Sequence, residues 1–241
     1  MSRTLPAHEE VPGFRDLGFL AFTTTRQAGS FNLASTEPAA TVFGRWMHLM
    51  ASLAPDASRL ATALQVHGDR ILRHGAGWSG WLRDTSGADG HLTRSSGTAM
   101  AVTLADCVPV FIAHPDGVGL MLHSGWKGTA ARILERGLGD LDDLGFDATR
   151  SRVHLGPAIC GRCYEVGPDV YAAVTGESVE GPALLDLRAV LAEQARQAGA
   201  TVTISHWCTK CHNERFFSHR AGDVGRQLGV LVLPLTSDAD L

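Results

Sequence analysis

No stretch of the 241 residues is apolar over the ~20 positions that a bilayer-spanning helix needs, so membrane crossing by a helix is not expected. Positive charge is not in excess either: 21 Lys and Arg stand against 25 Asp and Glu, a formal charge of −4. That balance removes the basic field by which proteins hold nucleic acid or anionic lipid. The opening MSRTLPAHEEVPGF lacks the apolar core of a secretory signal, which makes the cytoplasm the expected compartment. His-x-His pairs, repeats, low-complexity blocks and long linkers are all missing. Cysteine is sparse, and in a reducing compartment five of them read as thiols or metal ligands before disulfides. What is present is a core: 44% of residues are hydrophobic and only 19% charged, which excludes a disordered chain.

The pattern is mixed α/β, and one domain over residues 1–241 is the economical reading. Leu20–Thr24, a strand or strand pair within 61–74, Thr98–Leu104, Val118–Leu122, Arg152–Leu155, Thr201–His206 and Leu228–Leu233 read as strands. Helices are expected after Pro38, with a stripe at Val42, Trp46, Met50 and Leu53, and over Gly128–Leu144, Pro168–Val174 and Leu184–Ala198. Gly145 is a plausible stop for the second of these. The stretch between Gly75 and Gly97, rich in Gly, Ser and Asp, reads as a loop or hairpin region.

Chemistry concentrates around residues 98–136. One buried run ends in Asp106-Cys107, the next in His123, and Ser124-Gly125-Trp126-Lys127-Gly128 then opens a helix. His67 also ends an apolar run, beside Gly68. Two imidazoles and a thiolate with a fourth position open is the ligand set of a catalytic zinc. Their spacing of 40 and 16 positions is no metal motif, and each residue alone reads as an ordinary core or surface group. Cys107 and His123 serve equally as a metal-free nucleophile and base, with Asp106 as orienter. Lys127 at the helix start could hold an anion. Arg26 and Arg220 are candidates for substrate contact, whereas Arg215 reads as a solvated charge. Cys160-x-x-Cys163 and Cys208-x-x-Cys211 resemble two zinc knuckles. With 44 residues between them and no tight glycine turn, they read instead as ordinary thiols near a site.

These residues resemble the laccase-domain, or multicopper polyphenol oxidase-like, purine nucleoside phosphorylase family. The matching pieces are Gln65-Val66-His67-Gly68, Leu104-Ala105-Asp106-Cys107-Val108-Pro109-Val110 and His123-Ser124-Gly125-Trp126-Lys127-Gly128, together with Gly156–Ile159, Cys163–Gly167, Cys208-Thr209, Phe217–Arg220 and Gly225-Arg226. The resemblance implies one zinc held by His67, Cys107 and His123, copper being the lesser possibility, and a layered α/β/β/α fold of the α+β class akin to deamidating cysteine-hydrolase toxins. It implies phosphorolysis of adenosine, inosine, guanosine and methylthioadenosine, with adenosine deamination, in a monomer or homodimer. Asp106 would then handle protons, and Arg26, Asn32, Gln65, Lys127 and Arg220 would contact substrate or phosphate. Three departures bear on substrate preference: a shorter loop between Arg26 and Asn32, Lys127 in place of a usual arginine, and His219 and Ser124 in place of a usual tyrosine and alanine. Phenol oxidation by a trinuclear copper centre would need paired His-x-His elements, which the chain lacks. A metal-free cysteine amidohydrolase and a copper polyphenol oxidase stand as the alternatives.

Overall fold

A computed structural model describes residues 4–235. Fourteen strands and five α-helices lie along them, seven strands running in succession between the first helix and the second. The first six-stranded sheet runs in the order β1 (His8–Glu10), β2 (Leu20–Thr24), β14 (Gln227–Leu233), β7 (Thr98–Leu104), β3 (Arg59–Ala63), β5 (Gly80–Asp84). The second runs β13 (Thr201–Ile204), β10 (Arg152–Leu155), β8 (Val108–His114), β9 (Val118–Ser124), β6 (Gly90–Thr93), β4 (Ile71–His74). A short pair, β11 (Glu165–Val166) and β12 (Ala183–Leu184), stands apart. The helices are α1 (Ala39–Leu53), α2 (Trp126–Ala130), α3 (Ile133–Asp143), α4 (Pro168–Thr175) and α5 (Leu187–Gln197). None is long and apolar enough to cross a membrane.

Strand period sets the layers, because successive side chains point to opposite faces. Along β8, Val108, Val110 and Ile112 join a core with α3 and α5, while Phe111 and Ala113 join a core between the sheets. Along β7, Ala99 and Ala101 meet the α1 stripe of Val42, Trp46, Leu49 and Leu53, while Met100, Val102 and Leu104 turn inward. Three stacked cores therefore make an α/β/β/α sandwich, in the α+β class. With both faces covered, β8 and β9 are buried along their whole length and mostly apolar, with polar residues such as His114, His123 and Ser124 at their ends.

The structure departs from the sequence reading in places with physical causes. The helix expected over Gly128–Leu144 is two: α2 ends, Arg132 takes a left-handed φ of 59°, and α3 begins. Gly145 stops α3 at φ +85°, as the pattern suggests. The polar stretch 75–97 holds β5, an only partly buried edge strand, and β6, which is fully buried between β9 and β4 with its polar His91 bonded to His74. Val118–Leu122 extends to Ser124, so His123 lies within a strand.

Candidate metal centre and its two clefts

Topology brings three distant residues together. β3 and β7 are parallel neighbours, so the segments leaving them emerge on one sheet edge. The first carries His67 and the second carries Asp106-Cys107. Cys107 then precedes β8, whose antiparallel register with β9 sets Pro109 opposite His123. The donor atoms of His67, Cys107 and His123 all lie within 4.8 Å of one another. Gly125 allows this: a Cβ there would sit 2.9 Å from Cys107 Sγ and 3.3 Å from a His67 ring carbon.

The residue that organises the cluster is Asp89, which the sequence reading missed. It precedes β6, whose pairing with β9 sets it beside His123. Its Oδ1 lies 2.8 Å from His123 Nδ1 and accepts the His67 amide N–H at 3.0 Å. Its Oδ2 accepts the amides of Gly68 at 2.7 Å and Val66 at 3.1 Å. One buried carboxylate thus fixes the His123 ring and clamps the loop that carries His67. His67 itself has φ 59°, and Asp106 has φ 80°. Such conformations cost of order 1–3 kcal/mol and persist only where surroundings impose them. The only signal for Asp89 in the sequence was a charged residue against Gly90 at a strand start.

Charge follows from these contacts. Burial alone would push the Cys107 thiol up, but the imidazoles of His123 and His67 overrule it and bring it down to about 6. Burial would lower His123, yet Cys107 and Asp89 raise it to about 9. Burial also opposes the Asp89 charge, and the His123 ring and amide N–H groups prevail, holding it below the usual carboxylate range. The cluster therefore favours a thiolate, which is the form that ligates metals and attacks electrophiles. With His123 Nδ1 committed to Asp89, its Nε2 is left for the thiolate or an ion.

Two clefts meet at the cluster. The larger, about 400 Å³, is lined by Phe31, Asn32, Gln65, Arg83 and Arg226 among others; the smaller, about 250 Å³, by Asp106, Trp126, Tyr164 and Arg220 among others. His67, Ala105, Cys107 and His219 line both. Arg83, Arg226, Tyr164 and His219 are additions to the sequence-derived set. Burial pushes the Tyr164 hydroxyl up, so it stays a donor at neutral pH.

Several expected site residues do other work. Arg26 lines neither cleft. Its guanidinium bonds Asp223 at 2.6 Å and the carbonyls of Asn213 and Phe216, and it lies 4.4 Å from the Phe217 ring centre. It is a fastener between two loops, and its partners, 187 to 197 positions away, were invisible to local reading. Lys127 lines neither cleft and sits over Trp126. The Gln65 amide is spent on Thr103, accepting from its N–H and hydroxyl and donating to its carbonyl. Asn32 reaches the larger cleft but ties Val224 and Ala34. Asp106 orients no imidazole: it accepts the Thr209 hydroxyl and the Arg220 amide, both at 2.6 Å. The orienter is Asp89. Arg220 does line the smaller cleft, over Tyr164 with one nitrogen on the Glu165 carbonyl.

Comparison with known proteins identifies relatives of the chain. Residues 21–234 match the family described as multi-copper polyphenol oxidoreductase laccase. A purine nucleoside phosphorylase of Deinococcus radiodurans is 37% identical over 199 residues, spanning 77% of this chain and 75% of its own. An adenosine deaminase from an unknown prokaryotic organism is 32% identical over 149 residues, 56% of this chain and 57% of its own. The crystal structure of a Bacillus licheniformis hypothetical protein, YfiH, superposes with a TM-score of 0.84 at 24% identity, covering 96% of this chain and 97% of that one.

Proposed function

The chain belongs to the multi-copper polyphenol oxidoreductase laccase family, and from that premise we propose that it is a zinc-dependent purine nucleoside phosphorylase that also deaminates adenosine. Its substrates are adenosine, inosine, guanosine and methylthioadenosine, with phosphate as co-substrate. The observation that carries this reading is the convergence of three donors, His67, Cys107 and His123, where two clefts meet. The names of the relatives supply the substrate class.

The donor set fits zinc: two imidazoles and a thiolate, three protein ligands with one position left over. A zinc bound there supplies Lewis-acid activation of water or of a purine substituent. The chain does the rest. Asp89 holds His123 in one tautomer and keeps its Nε2 turned away from its own carboxylate. Phe31, Leu33 and Ala63 give the larger cleft an apolar wall for a purine ring, and Arg83 and Arg226 line the same cleft as cations suited to a phosphate dianion, Arg226 with one nitrogen held by the Asp223 and Gly225 carbonyls. They take the role first expected of Arg26 and Lys127. In phosphorolysis, phosphate oxygen bonds the anomeric carbon as the glycosidic electron pair leaves with the purine. In deamination, water adds at the purine six-position and ammonia departs. Tyr164 and Arg220, on the smaller cleft, are placed to steady oxygen atoms of either substrate.

A second reading has its own support. Asp89, His123 and Cys107 form a nucleophile–base–orienter series, which is the layout of a metal-free cysteine hydrolase. Against it stands the unfavourable backbone of His67, enforced by Asp89 through the amides of Val66, His67 and Gly68, since a thiol already paired with His123 does not require a second imidazole. A phenol-oxidising trinuclear copper centre has no counterpart among the described residues. Their candidate metal clusters are this one and a set of four cysteines.

Purified protein incubated with adenosine and phosphate should release adenine and inosine, with hypoxanthine following, and should carry zinc at Cys107. Failure to form any of these products with zinc present overturns the proposal. Full activity in metal-free protein, abolished by thiol alkylation, would establish the cysteine hydrolase instead.

A further inference from the structure

The four cysteines outside the cluster just described converge. β10 and β13 are parallel neighbours, with Leu155 opposite Ile204, so the loops leaving both strands emerge at the same end of the sheet. Cys160 and Cys163 lie in the first loop, Cys208 and Cys211 in the second, and a bridge between Ala158 and Cys208 continues the pairing. Their sulfurs all lie within 4.8 Å of one another. Around a tetrahedral zinc with Zn–S near 2.3 Å, sulfurs stand about 3.8 Å apart. We propose that Cys160, Cys163, Cys208 and Cys211 form a second, structural zinc site that clamps these two loops together. The proposal is independent of any reaction at Cys107.

The second turn is shaped as a knuckle, and its first sulfur also reaches across to the other loop. The Cys208 sulfur accepts the amide of Cys211, three residues on, at 3.5 Å, and the amide of Cys160 at 3.3 Å. Amides directed at sulfur temper the charge that a thiolate brings to a metal. Each turn also carries a cation between its cysteines, Arg162 and Lys210, against the net double negative charge of zinc with four thiolates. Gly161 lets the first turn lie against α5: a Cβ there would meet the Asp186 side chain at 2.8 Å. A disulfide would use two sulfurs and leave two. Cys163 and Cys211 are 3.4 Å apart, well beyond a bond, and all four sulfurs lie within 4.8 Å of one another. Four protein donors close the coordination sphere, which is the mark of a structural rather than a catalytic zinc. On binding, each thiol releases its proton to solvent, and no oxidant or reductant is needed.

The clamp has a purpose that the contacts make plain. Thr209, next to Cys208, donates to Asp106, and its amide bonds Ala158. The first loop returns an amide from Ile159 to the Asp106 carbonyl and supplies Tyr164 to the smaller cleft. Both loops thus grip the residue before Cys107, and a tetrathiolate zinc would lock them in register.

Elemental analysis of the purified full-length chain tests this. Two zinc ions per chain are expected. Cys107→Ser should retain one, and cobalt loaded into that variant should show the intense near-ultraviolet thiolate-to-cobalt absorption of four sulfur ligands. The double variant Cys163→Ser/Cys211→Ser should lose one equivalent and keep the other. The proposal is overturned by Cys107→Ser protein that holds no metal and gives no such absorption, by iron in place of zinc, or by a Cys163–Cys211 disulfide in unreduced protein by mass spectrometry. The cobalt measurement keeps all four cysteines, so it stands even if the double variant does not fold.

Discussion

The two donor clusters of this chain are built by the same device and differ in what they leave open. In each, parallel neighbouring strands deliver distant residues to one sheet edge: β3 and β7 for His67 and Cys107, β10 and β13 for the two cysteine pairs. The first cluster has three donors, mixed nitrogen and sulfur, and looks onto two clefts. The second has four sulfurs, none of which lines either cleft. Three donors leave a position for substrate and four leave none, so ligand count separates a site that acts from one that holds. Their supports differ as well. The open cluster leans on a buried carboxylate that corrects tautomer and backbone, and the closed one on backbone amides directed at sulfur.

Breaking the open cluster should have the largest effect. Cys107→Ser should lose one zinc and about a thousandfold or more in phosphorolysis, equal to several kcal/mol of transition-state stabilisation. Elemental analysis beside steady-state kinetics checks this, and metal lost without activity lost would detach the cluster from the chemistry.

Acid should then loosen the frame of that cluster. His91, on β6 two residues beyond Asp89, is fully enclosed against His74, 3.0 Å away. Burial, and then the His74 charge, lower His91 to about 3. The unfolded chain takes up a proton at this position near pH 6.5, while the folded chain does not until about 3. The unfolded state therefore binds more protons in that window, and stability falls as pH falls through it. The loss is about 2 kcal/mol by pH 5 and on the order of 4 kcal/mol by pH 3. His91→Gln should flatten this acid limb in urea unfolding at pH 7 and pH 5. An unchanged slope would show that His91 is not the group responsible.

The finest contrast is in the support. Asp89→Asn leaves all three donors of the open cluster in place and should weaken zinc there by about 10- to 100-fold. The zinc of the cysteine cluster should be unaffected. Competition with a chromophoric chelator resolves the two ions, and equal weakening of both would show that the variant acts on the whole fold.

The sequence carried most strands and helices because apolar periodicity is local, but it missed β8, a fully buried strand in the middle of the second sheet. It carried His67, Cys107 and His123 as polar groups where apolar runs end. It could not carry Asp89, whose partners at 66–68 and 123 lie 21 to 34 positions away. Nor could it tell Arg26, paired across the fold with Asp223, from an arginine that meets solvent.

Chain order by itself determined which residues are apolar at which period, and hence a mixed α/β domain, and it determined the supply of thiols and imidazoles at strand ends. Which of these meet was decided by strand order and register alone. Two parallel neighbours place their exits side by side whatever the length of chain between them, and that is why 44 intervening residues do not keep Cys163 and Cys208 apart.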